Sequence, residues 1–212
     1  WGEKEKYQVI LSVRSGPEAS FESRLFIEST EFSRAIKKAK RITGAEEPPL
    51  LISDVYVTIV KSGGHGKPYR LEPSGELWNE TDKEKMILPK RVSRKLIGYA
   101  QSLRDRHYGQ LVSWEEAKHI VPRKSIFSVT DLETGLTFRV QRRAGRDHAD
   151  VQPLRREDTK IMKEIYGGRW SWKRKAILVH TGNRWLAASM NGMPHGGGGI
   201  PNNGFSGHFC IH

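Results

Sequence analysis

The last twenty residues, "MPHGGGGIPNNGFSGHFCIH" (193–212), hold the only cysteine of the chain, Cys210, between His208 and His212. A glycine-rich stretch headed by His195 precedes them. Read as a strand, Gly207 to His212 sends side chains 208, 210 and 212 from one face, about 6–7 Å apart, and turns Phe209 and Ile211 toward a core. On that reading a thiol is set between two imidazoles, which leaves open a nucleophile with its base, a metal site, or only a segment closing a small β domain. A histidine beside a cysteine takes its proton or stabilises the thiolate, lowering a resting pKa of about 8.5 toward neutrality.

Upstream the pattern stays β-rich. Ile126–Thr130 and Thr137–Gln141 alternate apolar and polar residues around a Glu133-Thr134-Gly135 turn, which predicts a hairpin. A helix is expected over about 157–166, stopped by Gly167-Gly168. Two strands follow, "AILVHT" and "RWLAASM", turning at Gly182-Asn183. Residues 123–212 form one expected domain, mostly β.

Residues 1–122 read as a separate α+β module in the order β-β-α-β-β-α-α. "KYQVILSV" (6–13) and "SRLFIES" (23–29) flank a Gly16-Pro17 turn. Phe32, Ala35, Ile36, Ala39 and Ile42 recur at helical spacing between a Ser29 or Thr30 cap and a Gly44 stop. "DVYVTIV" (54–60) and "PYRLEP" (68–73) predict a hairpin. A second helix opens near Pro89 with Val92, Leu96, Ala100 and Leu103 inward and ends at Gly109. A third carries Ser113 and Glu116 at capping-box positions and stops at Pro122.

The 212 residues suffice for two small domains, each able to bury a core. Six tryptophans argue for folding in a chain only 36% hydrophobic. No run approaches the ~18 apolar residues of a spanning helix, so no stable membrane insertion is expected. A single cysteine excludes an internal disulfide. The net charge of +12 divides as +4 over residues 1–122 and +8 over 123–212, so the positive excess lies mostly beside the cysteine and suits an anionic environment.

The run from His195 to His212 resembles the signature of the L,D-transpeptidase catalytic domain, in which a His-Gly pair and a glycine-rich stretch lead to Ser/Thr-His-Gly-Cys-x-Arg. Aligned on the cysteine, His195-Gly196 matches the His-Gly pair, His208 the second histidine and Cys210 the nucleophile. The resemblance implies a catalytic set of Cys210, His195, Gly196, His208 and Phe209. Cys210 attacks the carbonyl before the terminal D-residue of a peptidoglycan stem tetrapeptide. His195 is the base, oriented by the Gly196 carbonyl, and the backbone N–H groups of Phe209 and Cys210 face the oxyanion. The thioester passes to an amine of a neighbouring stem or to water. No cofactor or metal is implied. The place of action is extracytoplasmic, and the partners are stem peptides and anionic wall polymers, not nucleic acid.

Three positions depart from the signature: Gly207 replaces Ser or Thr, Phe209 replaces glycine, and His212 replaces arginine. Gly207, His212 and Trp185 are the expected substrate contacts. The family domain continues beyond its cysteine, so a domain truncated at its C-terminus is expected here. The departures keep open a non-catalytic wall-binding protein with a degenerate site. His195, His208, Cys210 and His212 also offer four N/S ligands, the donor set of a zinc site. The alternative for Cys210, ranked behind the nucleophile, is a small buried hydrophobe.

Elsewhere the signals are weaker. Gly196–Gly199 reads as a flexible loop, since it lacks a phosphate-cradle ending. His148 and Asp150 in "RDHADVQP" read chiefly as exposed loop residues, with binding groups that meet the site as the alternative. Trp170, Trp172 and Trp185 amid basic residues are divided between stacking and core packing. Arg142-Arg143 reads as a solvated basic face.

Overall fold

A computed structural model describes residues 6–48 and 53–212. The described residues are mostly β, 40% strand against 22% helix. It divides into two compact units, the second comprising residues 18–21 and 105–212.

In the first unit, β1 (Tyr7–Val13), β2 (Ser23–Glu28), β3 (Lys40–Thr43), β4 (Val55–Lys61), β5 (Gly66–Leu71), β6 (Leu77–Asn79) and β7 (Glu84–Ile87) form a sheet in the order β2-β1-β4-β5-β6-β7-β3. Val9, Leu11 and Val13 of β1 and Val55, Val57 and Ile59 of β4 are buried at alternate positions, as the pleat demands. Helix α1 (Thr30–Lys38) is capped by Ser29, whose hydroxyl accepts the Glu31 and Phe32 amides, and buries Phe32, Ala35 and Ile36. It ends sooner than its apolar spacing predicts. Residues 40–43, expected as its last turn, instead pair antiparallel with β7, whose edge satisfies their backbone groups. Helix α2 (Lys90–Tyr108) buries Val92, Leu96, Ala100 and Leu103, the four positions that its periodicity marks. Gly109 follows at φ +86°, a conformation open to glycine. The division between the units falls within this helix, at Arg104–Asp105.

The second unit is a closed antiparallel barrel. Its strands are β8 (Ile126–Asp131), β9 (Thr137–Ala144), β10 (Ala149–Pro153), β11 (Ser171–Thr181), β12 (Arg184–Gly192) and β13 (Phe209–Ile211), in the order β10-β13-β12-β11-β8-β9. Helix α3 (Trp114–Ile120), capped by Ser113, belongs to this unit. Helix α4 (Arg156–Ile165) packs on β9 and β10 and sends Met162 and Ile165 into the core with Val129, Phe138, Val140, Ile177, Met190 and Phe209. Burying such side chains stabilises the barrel by about 1.5–3 kcal/mol each.

Arg142 corrects its reading as part of a solvated face. It is buried, its guanidinium donates to the carbonyls of Lys118, Val121, Ala144 and Gly145, and it stacks on Trp114. Its partners are carbonyl oxygens, so it ties α3 and the β9–β10 connection to the barrel wall.

Candidate functional site

Three chain segments build the site around one sulfur. β13 places Phe209 and Ile211 in the core, and Cys210 faces the other way, itself buried. Its antiparallel neighbour in β10 is Asp150. A β-bulge where β10 meets β9 falls between Asp150 and Val151 and helps to set that carboxylate's direction. Gly145, at φ +101°, makes the preceding turn, where a Cβ would lie 1.9 Å from the His148 carbonyl.

The glycine loop brings His195 back to the sulfur. His195 and His208 form an isolated antiparallel bridge, with N–H to carbonyl distances of 3.0 and 2.8 Å in the two directions. Gly207 makes this closure possible: at φ +92° its Cα approaches so closely that a Cβ would sit 2.3 Å from the His195 carbonyl oxygen. The absent hydroxyl is therefore the result of a backbone requirement. The loop between is held rather than free. The Gln152 side-chain amide donates to the Gly207 carbonyl at 2.6 Å, and its oxygen accepts the Ile200 N–H at 3.0 Å. Asn203 donates to the Pro153 carbonyl, and Thr159 donates to the Asn203 carbonyl. Glycine at 198 serves close approach, since a Cβ there would meet the Gln152 amide at 2.7 Å.

Cys210 Sγ lies 3.4 Å from His195 Nε2. The other ring nitrogen, Nδ1, is 2.7 Å from the Met193 carbonyl oxygen. A carbonyl only accepts, so Nδ1 carries the proton and neutral His195 presents a bare Nε2 to the thiol. The orienting carbonyl belongs to Met193, where Gly196 was expected. Gly196 instead sits at φ +63° beneath His208, its Cβ position 2.4 Å from that ring.

Asp150 Oδ1 is the second neighbour of the sulfur, at 3.7 Å. It also lies 3.1 Å from His148 Nε2 and 3.6 Å from His208 Nε2. His208 Nδ1 donates to the Gly197 carbonyl at 2.8 Å. Burial pushes the Cys210 thiol above its ordinary value; the Asn191 side chain, hydrogen-bonded to the sulfur, pulls it down, the Asp150 charge adds to burial, and Arg174 opposes it. Burial and the Asp150 charge thus oppose formation of the thiolate, and His195 Nε2 is the base within reach of the S–H proton.

The remaining expected residues fall at different distances from this centre. His212 lies 4.7 Å from the His148 ring, and burial, with Arg174 and His148 behind it, keeps its imidazole below the usual pKa. Phe209 sits wholly in the core and outside the positive-φ residues, so replacing glycine strains nothing. Trp185 stacks flat on His180 at 3.7 Å near the β11–β12 turn, six residues before Asn191 on β12. The aromatic ring at the site is Trp172, 58% exposed and 4.7 Å from the His195 ring. Asn191, Gln152 and Trp172 are the residues that sequence reasoning left out of the site, and Asp150, read there chiefly as a loop residue, lies on β10 beside the sulfur. The alternation Ala149-Asp150-Val151-Gln152 is the one local signal that would have placed two of them on a strand.

No family model, curated protein or solved structure matches the chain.

Proposed function

We propose that the second unit is an L,D-transpeptidase-like cysteine acyltransferase acting on peptidoglycan stem peptides. The observation that carries this reading is the Cys210–His195 pair: a thiol 3.4 Å from an imidazole nitrogen whose partner nitrogen is fixed on a backbone carbonyl. His195 Nε2 takes the S–H proton as sulfur bonds to the carbonyl carbon before the terminal D-residue. The tetrahedral oxyanion collapses, the C–N bond breaks, and the departing amine takes the proton from His195. An amine of a neighbouring stem, or water, then attacks the thioester, giving its proton to His195 and so back to sulfur. A base placed this way contributes about 10² to 10⁴ in rate.

In this reading the β-rich catalytic domain follows an α+β module of unrecorded role. The enzyme works outside the cytoplasmic membrane, and its positive charge holds it to anionic wall polymers. The test is acylation by a carbapenem-type donor, followed by intact mass. One adduct is expected on the native chain and none on Cys210→Ala. An adduct retained by Cys210→Ala removes the nucleophile from the scheme; sacculus binding without release of D-alanine indicates a wall-binding protein instead.

A further inference from the structure

We propose that His195, His208 and Cys210 also form a binding site for a soft divalent cation, zinc, with Asp150 balancing its charge, and that occupancy of this site competes with acylation. One donor atom from each of the three residues lies within 4.8 Å of the others. The Sγ to Nε2 distance of 3.4 Å is close to the edge of a zinc tetrahedron, about 3.6 Å for Zn–S near 2.3 Å and Zn–N near 2.05 Å.

The surroundings favour a cation. Each histidine commits Nδ1 to a backbone carbonyl, His195 to Met193 at 2.7 Å and His208 to Gly197 at 2.8 Å. That leaves Nε2 as the ligating atom of both rings, the outer-shell arrangement usual for metal-bound histidine. The two-way backbone bridge between residues 195 and 208 fixes the spacing of the rings before any ion arrives. His208 Nε2 also faces Asp150 Oδ1 at 3.6 Å, so two lone pairs meet there unless a proton or a metal supplies positive charge. One thiolate and one carboxylate together cancel a doubly charged ion.

A second group, His148, Asp150 and Cys210, shares the sulfur. In that group His148 Nε2 is already paired with Asp150 at 3.1 Å, so its nitrogen is engaged as a donor. The expected fourth ligand, His212, belongs to neither group. Binding is a simple exchange: the S–H proton leaves to solvent, a sulfur–metal bond forms, and the histidines enter neutral. Nothing is oxidised or reduced. Metal binding occupies both the sulfur and the His195 nitrogen that acylation needs as nucleophile and base, which makes metal and acyl donor alternatives.

The test uses the whole chain, stripped with chelator and titrated with zinc chloride by calorimetry and with cobalt(II) by absorption. One ion per chain is expected, with about one proton released and a thiolate-to-cobalt band in the near ultraviolet. Cys210→Ser should abolish that band, and His208→Ala should weaken binding at least about 10-fold. His148→Ala should leave the affinity unchanged. Binding that survives Cys210→Ser undiminished, or that is lost in His148→Ala but kept in His195→Ala, overturns this ligand set. Circular dichroism verifies that each variant is folded. The metal titration needs no acyl donor and the acylation assay runs in chelator, so either property can fail without the other. Full-rate acylation of zinc-saturated protein would refute the competition.

Discussion

Replacing Asp150 with asparagine removes the negative charge 3.7 Å from the sulfur while keeping the side chain's shape. Across 3.7 Å, one unit of charge acts on another with about 1.1 kcal/mol at the dielectric of water and about 4.5 kcal/mol at an effective value near 20. The carboxylate is shared with His148 and His208, which draw on the same charge, so the lower end applies. About 1.4 kcal/mol corresponds to one pKa unit, downward for the thiol, because the charge removed is one that disfavours the thiolate. Burial is unchanged and continues to hold the value up. Well below both pKa values the variant carries about ten times more thiolate, and each thiolate is about threefold less nucleophilic on a Brønsted slope of 0.4–0.5. Alkylation by iodoacetamide, in chelator, should therefore run about threefold faster than in the native chain at neutral pH and about threefold slower at high pH. The two pH–rate curves must cross. Parallel curves, or an inflection that moves upward in Asp150→Asn, would show that the sulfur does not sense this carboxylate.

Gly207→Ala should cost at least about 1–2 kcal/mol, since φ of +92° is unfavourable with a Cβ that would also meet the His195 carbonyl; the melting temperature should fall by about 2–8 °C, and no change would contradict the tight bridge. Arg142→Lys keeps the charge but cannot span four carbonyls, so urea unfolding should reveal a loss of about 3 kcal/mol, one to three per orphaned acceptor; a neutral result would mean water replaces the guanidinium. Gln152→Ala releases the Ile200 N–H and the Gly207 carbonyl, and amide exchange at Ile200 should speed up about 10-fold, the effect of about 1.4 kcal/mol of local stability. Unaltered exchange would show that the loop is held elsewhere.

Local patterns carried the parts of the fold whose partners lie nearby in sequence. The four buried positions of α2 repeat at helical spacing, and the β8–β9 and β11–β12 hairpins close over short turns. Short strands fixed by distant partners left little trace. The tripeptide of β6 and the four residues of β7 owe their state to pairing with each other and with β5 and β3. The helix pattern of α1 continued on paper through Ile42, yet the chain turned to strand where the β7 edge offered hydrogen bonds. Propensity is weak beside such pairing.

The same distinction explains the site. The strand period of two made the direction of Cys210 legible, and the pairing of His195 with it came from the resemblance to the L,D-transpeptidase signature. Asp150 was not legible, because its place against the sulfur follows from a register between segments 60 residues apart and from a bulge on the far side of its strand. A shift of one residue in that register would turn Asp150 away and bring Ala149 or Val151 opposite Cys210. The thiol would then keep its base and lose the charge that opposes ionisation. The register of β10 against β13 thus sets which side chain shares the sulfur with His195, and that register is not written in the motif around Cys210.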